Sequence, residues 1–168
     1  MNPVYISFGS NINNRHDNLK HAIKLLIQRT EAAEIKISSI YETKPVEMVS
    51  GKPFLNGIIT FNTFLDPFAV LYIAENIESE MGRKNSEKGK KLNRIIDLDI
   101  IFYNNEIIYS PELCIPHPCY SQRIFVLTPL NELNPGLKDP VNNRTIGEIL
   151  RTGKFTGQII KKTPLKIF

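Results

Sequence analysis

The sequence predicts an α+β domain in which helices pack against an antiparallel-rich sheet. Three observations support this fold class. The chain has 168 residues, 42% of them hydrophobic, which suits one domain over 1–168 with a real core and argues against disorder. Its apolar residues alternate between a period of two and a period of 3.6, which indicates strands and helices. The order strand, helix, strand, strand, helix, strand is that of the ferredoxin-like βαββαβ fold.

The first 64 residues contain three of the predicted strands and one helix. Apolar or alternating runs rich in β-branched and aromatic residues indicate the strands, and apolar residues three and four apart indicate the helix. Two prolines and a glycine in 43–53 predict a loop before the third strand. The predicted elements are a strand at 4–8, a helix at 16–31 and strands at 35–42 and 54–64.

The second helix is predicted from Asp66 onward. An aspartate can cap a helix, and Pro67 suits the first helical position. An apolar stripe then runs from Val70 to Met81, and Gly82 is placed to end the helix.

The remaining elements follow this helix. Residues 95–103 are the most strand-like run of the chain. We expect an extra short strand at 106–109 to form a hairpin with it through 104–105. C-terminal helices at 121–133 and 144–150, and then a basic tail, complete the predicted order.

Composition excludes several protein classes. Two cysteines, Cys114 and Cys119, are too few for a disulfide scaffold. No apolar run approaches the roughly 18 residues of a membrane helix, and the first residues lack the features of a secretion signal. We expect a cytoplasmic protein, monomeric and without a membrane partner.

Most of the positive charge lies in one segment. Residues 83–94 hold six basic side chains and one acid, a net charge of +5, whereas the whole chain carries +4. The rest of the chain is therefore near neutral. Such a cluster is either a solvated loop or a site for an anion such as phosphate or nucleic acid.

Asp97 and Asp99 form the most informative pair of residues. They lie two apart on a predicted strand, so their side chains share a face, with Cα atoms about 6.7 Å apart. The aliphatic residues between them would face the core. Two like charges repel each other and are costly to desolvate, and Mg²⁺, which takes one or two carboxylates plus water and phosphates, would relieve both penalties. The alternative is an exposed sheet face.

The basic segment leads directly into this strand. Carboxylates for a metal ion, next to arginine and lysine for phosphate oxygens, are recurring parts of phosphoryl-transfer sites. Neither a P-loop nor a Gly-x-Gly-x-x-Gly motif occurs. We therefore expect a nucleotide held by side chains and metal, and no dinucleotide cofactor.

Five further residues allow a structural and a functional interpretation. His117, between two prolines, is either a loop residue or a catalyst. Glu75 and Glu78 share a helix face, which is either solvated or in contact with a ligand. Phe54 and Asn56 share a strand face, and either pack in the protein or recognise a flat heterocycle with a ring and an amide.

Several segments match a known family, in the family's order, from residue 5 to about 132. The most specific match is Arg94-x-x-Asp97-Leu98-Asp99-Ile100. The others are Gly9-Ser10-Asn11, Tyr41-Glu42-Thr43, Phe54-Leu55-Asn56, Gly82-Arg83, Pro116-His117, Arg123-x-Phe125 and Pro129-Leu130. On these residues the chain resembles the 6-hydroxymethyl-7,8-dihydropterin pyrophosphokinase family.

The resemblance implies a reaction of folate biosynthesis. Pyrophosphate would pass from ATP to the hydroxymethyl group of the pterin, with release of AMP. Asp97 and Asp99 would hold two Mg²⁺ ions and act as catalytic residues together with Arg83 and Arg94. The implied ATP contacts are Glu75, Glu78, Arg83, Lys84, Arg94, Ile100, His117 and Arg123.

The resemblance also implies a pterin pocket. Its residues would be Gly9, Thr43, Val46, Phe54, Asn56, Asp97 and Phe125. In that pocket Phe54 and Phe125 would enclose the ring, and Asn56 would bind its polar edge.

A second hypothesis is an RNA-binding domain on the same frame, which would use the basic segment and aromatic residues of the sheet. Against it, Asp97 and Asp99 would repel phosphates, on a strand that we expect in the interior of the sheet. No RNP-like aromatic pattern occurs either. We therefore expect ATP and a pterin as partners, and no nucleic acid.

Overall fold

A sheet with helices on both faces forms the frame of the molecule. The computed structural model describes residues 1–44, 52–83 and 93–168. The strands are β1 (Asn2–Ser10), β2 (Ala33–Ile37), β3 (Tyr41–Thr43), β4 (Phe54–Thr63), β5 (Asp97–Tyr103), β6 (Ile108–Tyr109), β7 (Cys114–Ile115) and β8 (Ile160–Lys162). The helices are α1 (Arg15–Arg29), α2 (Pro67–Glu80), α3 (Ile124–Leu133) and α4 (Ile146–Thr152), with a 3₁₀ turn at Tyr120–Gln122 before α3.

β1 is a central strand of the main sheet. It pairs antiparallel with β4 on one side and with β5 on the other. The strand order is β5-β1-β4-β3-β8, and β2 pairs with a separate part of β4. The predicted interior position of the strand that carries Asp97 and Asp99 is wrong, because β5 ends this order. Its apolar character comes instead from packing on both faces of the sheet.

The first face of the sheet packs against α1 and α2. Side chains of β1, β4 and β5 alternate, so that every second residue enters this core. Leu98 and Ile100 lie in it together with Leu26 of α1 and Ile77 of α2. The expectation that the aliphatic residues next to the two aspartates face the core is confirmed.

The second face of the sheet packs against α3 and α4. Here Tyr5, Ile58 and Phe102 contact a smaller core that includes Leu127 and Ile146 of the two helices. A shift in the pairing of β1 with β5 after Tyr5 lets consecutive residues of β5 reach this face. The carboxylates of β5 lie on the same face, nearer the start of the strand.

The ends of α2 follow the sequence prediction. The Asp66 side chain accepts hydrogen bonds of 2.9 Å from the backbone N–H groups of Phe68 and Ala69, and Pro67 is the first helical residue. Gly82 follows the helix with φ of +106°, a conformation that side-chain-bearing residues rarely adopt.

The predicted hairpin through 104–105 is wrong. β6 pairs with β7 and not with β5. Asn104 adopts φ of +47° and donates its backbone N–H to the carbonyl of Pro3 at 2.7 Å. This turn therefore ends β5 beside β1 and directs the chain away from the main sheet. The next short strand, β6, pairs there with β7, which follows it in the sequence.

Two other strands differ from the prediction. The single strand expected at 35–42 is two strands, β2 and β3, because at Ser38 the backbone N–H and the hydroxyl both bond to Ile58 and interrupt the regular pairing. The predicted basic tail contains β8, which pairs with β3. Its pairing partner lies about 120 residues earlier, so no local pattern indicates it.

None of the helices in the described part of the chain has the length and apolar composition needed to cross a bilayer. Cys114 and Cys119 both carry free thiols.

One carboxylate of α3 joins the helix to β3 and to the residues before it. Glu132 Oε1 accepts hydrogen bonds from the backbone N–H of Ser39 (3.1 Å) and from its hydroxyl (2.7 Å), and Oε2 accepts one from the Tyr41 hydroxyl (2.8 Å). Burial and this last hydrogen bond raise the pKa of Tyr41 to about 12. The three donors hold β3 in place beside the candidate site.

Glu132→Ala should lower the free energy of unfolding by about 2 kcal/mol, because three donors lose their acceptor in a partly buried place. Urea denaturation followed by circular dichroism measures this. Glu34→Ala is the matched control, since Glu34 accepts a hydrogen bond from Asn62 at an exposed position. Equal losses in the two variants would contradict the role given to Glu132.

Candidate active site

One row of residues crosses the sheet at the candidate site. The register places Gly9 opposite Asp97 on one side and opposite Asn56 on the other, with Tyr41 opposite Asn56. Directly paired residues share a face, and the bond from Tyr41 to α3 identifies that face as the α3 side. Neighbouring strands lie about 4.8 Å apart. The backbones of Asp97 and Asn56 are therefore only about 10 Å apart, with a glycine between them.

Three arginines surround the carboxylates of β5. Arg83 Nη1 and Arg94 Nη1 lie 3.0 Å and 2.6 Å from the same oxygen of Asp97, Oδ1. Arg123 Nη1 lies 3.9 Å from Asp99 Oδ2. Residues separated by up to 40 positions in the sequence thus meet in one cluster, as the sequence predicts. The cluster offers guanidinium groups suited to phosphate oxygens.

Glu78 of α2 bonds both to Arg83 of this cluster and to the backbone of β5. Its side chain is buried, its Oε1 accepts a hydrogen bond from the backbone N–H of Leu98 (2.8 Å), and its Oε2 lies 2.5 Å from Arg83 Nη1. Burial and the negative charge of Asp97 raise the pKa of Glu78 to about 7, while Arg83 favours its ionised form. Both oxygens contact the protein, so a direct contact with ATP stays a prediction.

Arg83 forms ion pairs with two carboxylates, while its buried Nε has no such contact among the described residues. Burial alone would lower its pKa, but Glu78 and Asp97 raise it, so the guanidinium keeps its charge. Among the buried side-chain nitrogen and oxygen atoms of the described residues, its Nε lacks a hydrogen-bond partner. A buried charged donor without a partner is costly, and an anionic ligand at this place would reduce that cost.

Asp99 is the more open of the two aspartates. Its side chain is 37% exposed, and its Oδ2 lies at the long distance of 3.9 Å from Arg123 Nη1. Desolvation by the surrounding protein and the negative charge of Asp97 raise its pKa. Within 1–44, 52–83 and 93–168, no three His, Cys, Asp or Glu side chains form a complete metal site. Two carboxylates completed by water and phosphate oxygens fit Mg²⁺.

His117 enters the site as a neutral hydrogen-bond donor. Its backbone N–H donates to the carbonyl of Ile101 (3.1 Å), which holds it beside β5. The backbone N–H of Cys119 donates to its Nδ1 at 3.2 Å, so Nε2 carries the proton of the neutral ring. Burial and the positive charge of Arg123 lower the pKa of His117 to about 4. The ring is therefore uncharged at neutral pH.

Three of the residues assigned to the heterocycle pocket, Thr43, Phe54 and Asn56, lie together on the other side of Gly9. Asn56 is buried and donates from Nδ2 to the Thr43 hydroxyl at 2.7 Å. A Cβ on Gly9 would lie 2.6 Å from Asn56 Oδ1, so only glycine leaves room for this amide. Phe54 and Phe125 are both half-buried, and their enclosure of a ring stays a prediction.

The remaining predicted residues take different positions. Ile100 points into the core between the sheet and the first two helices, so its side chain lies on the opposite face from the carboxylates. Glu75 is half-buried on α2. Val46 and Lys84 lie outside the described residues.

Asn11 is a site residue to which the sequence analysis gave no role. It directly follows β1, and its side chain is fully buried. Its amide bonds to Lys52, Asn93 and Arg94, three residues that are distant in sequence. The matching Gly9-Ser10-Asn11 segment marked the position, but the spacing of residues contains nothing that predicts these contacts.

Comparison with known proteins identifies the family. The model of the 7,8-dihydro-6-hydroxymethylpterin-pyrophosphokinase family (HPPK) matches residues 5–135. The chain belongs to this family. The match includes every residue of the candidate site, and it favours the enzyme over the RNA-binding hypothesis.

Two bacterial relatives carry the name 2-amino-4-hydroxy-6-hydroxymethyldihydropteridine pyrophosphokinase. The protein from Bacillus subtilis (strain 168) is 41% identical over 132 residues, which cover 79% of this chain and 78% of that protein. A protein from Porphyromonas gingivalis is 39% identical over 136 residues, 80% of this chain and 92% of its own length. In the folic acid synthesis protein fol1 of Schizosaccharomyces pombe, 37% identical over 148 residues, the chain spans only 20% of the relative.

Solved structures show the same fold. The wild-type HPPK-DHPS of Plasmodium falciparum with SDX-DHP superimposes with a TM-score of 0.69 over 90% of this chain at 19% identity. The chain spans 43% of that protein. The α+β class predicted from the sequence is confirmed.

His117→Asn should change how stability depends on pH. The folded pKa is about 4 and that of an unfolded histidine about 6.5, so the unfolded state binds the proton first. Wild-type stability should therefore fall as the pH drops from 6.5 towards 4, by about 2 kcal/mol from this residue after allowance for partial exposure. Asparagine can still accept the Cys119 N–H but does not titrate.

Urea denaturation of both proteins at pH 7.5 and pH 4.5 measures the difference. The loss of stability between pH 7.5 and pH 4.5 should be about 2 kcal/mol smaller in His117→Asn than in the wild-type protein. An equal loss in both proteins would show that His117 is not held in its neutral form.

Proposed function

We propose that this chain transfers a pyrophosphoryl group from ATP to the hydroxymethyl group of 6-hydroxymethyl-7,8-dihydropterin and releases AMP. The supporting observation is the row across the sheet. It sets Asp97, with its two arginines, on one side of Gly9 and the amide of Asn56 on the other. In this proposal a phosphate site and a heterocycle pocket would thus lie next to each other. The names of the bacterial relatives state the same activity for those proteins.

The reaction needs little covalent chemistry from the protein. The hydroxymethyl oxygen attacks the β-phosphorus of ATP, the bond from that phosphorus to the oxygen of AMP breaks, and the hydroxyl proton leaves to solvent. Catalysis of this kind depends on positioning and on neutralising charge. Adjacent binding of the two substrates on one sheet face supplies the positioning.

Arginines neutralise the charge of the triphosphate in this proposal. Arg83 follows α2, Arg94 precedes β5 and Arg123 directly precedes α3, and the three converge on the carboxylates of β5. Guanidinium groups stay charged and bind phosphate oxygens with paired donors. Glu78 fixes Arg83 through an ion pair, so this arginine needs little reorganisation when a phosphate binds.

Asp97 and Asp99 are the residues that would hold Mg²⁺. Their carboxylates share one face of β5, and both are partly exposed. Bound Mg²⁺ would neutralise phosphate oxygens and relieve the repulsion between the two aspartates. His117, with its proton on Nε2, would donate a hydrogen bond to the nucleotide without adding charge.

The assay that tests the proposal measures AMP by chromatography. AMP should form only when ATP, Mg²⁺ and the hydroxymethylpterin are all present, and EDTA should stop its release.

Asp99→Asn should lower the rate by roughly 100-fold or more, because one carboxylate of the metal site is lost. Asp66→Asn removes the same charge at the cap of α2, where asparagine caps equally well, and should keep the wild-type rate. Release of AMP without the pterin would contradict the proposed function.

Gly9→Ala should weaken pterin binding more than it weakens the fold. The added Cβ would displace the Asn56 amide and break its bond to Thr43, so we expect KM for the pterin to rise roughly tenfold, equal to the loss of about one hydrogen bond. The KM for ATP should change little. Gly136→Ala is the control, because its Cβ would have no neighbour closer than 3.8 Å. An unchanged KM for the pterin would place the pocket elsewhere.

A further inference from the structure

Gln158 contacts the backbone on both sides of a site residue. Its side chain is half-buried and lies between α4 and β8 in the sequence. Oε1 accepts a hydrogen bond from the backbone N–H of Ile124 (2.9 Å), and Nε2 donates to the backbone carbonyl of Gln122 (2.8 Å). These two groups belong to the peptide bonds that flank Arg123. Gln158 itself lies outside the residues that the family model matches, 5–135.

The partners fix the orientation of this amide. A backbone N–H only donates, so the amide oxygen must face Ile124. A backbone carbonyl only accepts, so the amide nitrogen must face Gln122. Arg123 between them is extended, with φ of −114° and ψ of 105°, and in an extended residue the preceding carbonyl and the following N–H point to the same side. One side-chain amide can therefore reach both.

The bond to Ile124 takes the place of a missing helix cap. α3 begins at Ile124, and the first N–H groups of a helix have no partner inside it. The residue before a helix usually accepts one of them with a short side chain that carries an oxygen. Arg123 occupies this position and makes no such bond, because a guanidinium has donors and no acceptor. Gln158 supplies the acceptor, so a residue suited to phosphate can stand where a capping residue is usual.

The backbone of Arg123 is bonded on every side. Its N–H donates to the carbonyl of Tyr120 (3.2 Å), and its carbonyl accepts from the N–H groups of Val126 and Leu127 (3.0 Å each). With the two bonds to Gln158, every polar group of the two flanking peptides has a partner. Rotation about the backbone of Arg123 would break at least one of these bonds.

The side chain of Arg123 is held less tightly than its backbone. Its Nη1 lies 3.9 Å from Asp99 Oδ2, whereas Arg83 and Arg94 approach Asp97 to 3.0 Å and 2.6 Å. A contact of 3.9 Å is too long for a hydrogen bond, so it directs the guanidinium only weakly. The position of this arginine in the cluster therefore depends on its backbone.

We propose that Gln158 is a positioning residue, which fixes the backbone of Arg123 so that its guanidinium reaches a phosphate oxygen of a nucleotide bound beside Asp97 and Asp99. This inference rests on the proposed function. Without the amide, the peptides on both sides of Arg123 lose a partner each, and the arginine points in several directions. Ordering it again on binding costs free energy, so the loss of Gln158 weakens nucleotide binding.

Isothermal titration calorimetry measures the Kd of α,β-methylene-ATP with Mg²⁺. This probe cannot react, because the methylene group replaces the oxygen that leaves with AMP in the proposed reaction. Gln158→Ala should raise the Kd roughly tenfold, equal to the loss of about one hydrogen bond to a charged group. Gln158→Met keeps the length of the side chain and neither hydrogen bond, so it should raise the Kd by the same factor.

A double-mutant cycle tests whether Gln158 acts through Arg123. Arg123→Ala alone should raise the Kd roughly 30-fold, because a charged donor to the phosphate is lost. Adding Gln158→Ala to it should raise the Kd less than twofold further, because no guanidinium remains to be positioned. A merely structural role of Gln158 would give the same tenfold rise in both backgrounds and would overturn the inference.

Asp66→Ala is the matched control. Like Gln158, Asp66 makes two hydrogen bonds to backbone groups at the start of a helix, and it lies at the opposite end of α2 from Glu78. Asp66→Ala should lower the urea midpoint of unfolding, as Gln158→Ala does, and leave the Kd of the probe unchanged. An equal rise of the Kd in Asp66→Ala would attribute the effect to lost stability and contradict the role given to the amide.

The outcomes separate this inference from the proposed function. If the wild-type protein does not bind the probe, the proposed function fails and the inference with it. If the wild type and both Gln158 variants bind it equally well, the function stands and the inference is wrong. A wild-type Kd in Gln158→Met alone would show that packing, and not the two hydrogen bonds, matters at this position. Gln158→Met gives a result even if Gln158→Ala does not fold.

Discussion

The repulsion between Asp97 and Asp99 is the constraint around which the site is built. A strand places the two carboxylates on one face, and partial burial makes their negative charges more costly. Arg83, Arg94 and Arg123 approach from different directions to balance them. The basic segment of the sequence is therefore more than a solvated surface. Its two ends form ion pairs with Glu78 and Asp97, and the ligands proposed for the cluster combine a cation with phosphate groups.

Features set by neighbours in the sequence could be predicted well. Asp66 and Pro67 start α2 as expected, because capping depends on atoms only two or three residues away. The alternation of β5 correctly placed Asp97 and Asp99 on one face and Leu98 in the core. The family resemblance named most residues of the cluster, since a short motif such as Arg-x-x-Asp-x-Asp keeps its spacing whatever surrounds it.

Features set by distant partners could not be predicted. From the sequence, Glu78 is only a polar residue on a helix face. In the structure it is buried and forms an ion pair with Arg83, because the end of α2 packs against β5. The pairing of β8 with β3 and of β6 with β7 depends on which strand edges remain available after folding. The contacts of Asn11 depend on two chain segments that are brought together only by the sheet.

The register of β1 also has a consequence for folding kinetics. Gly9 pairs with Asn56 and with Asp97, residues 47 and 88 positions later. Pairings over such separations require the closure of long loops, which slows folding in proteins rich in nonlocal contacts. The candidate site therefore has no counterpart in any short segment of the chain. Both proposed pockets form only when β1 is inserted between its two partners, so we expect ligand-binding ability to appear with the slowest folding phase.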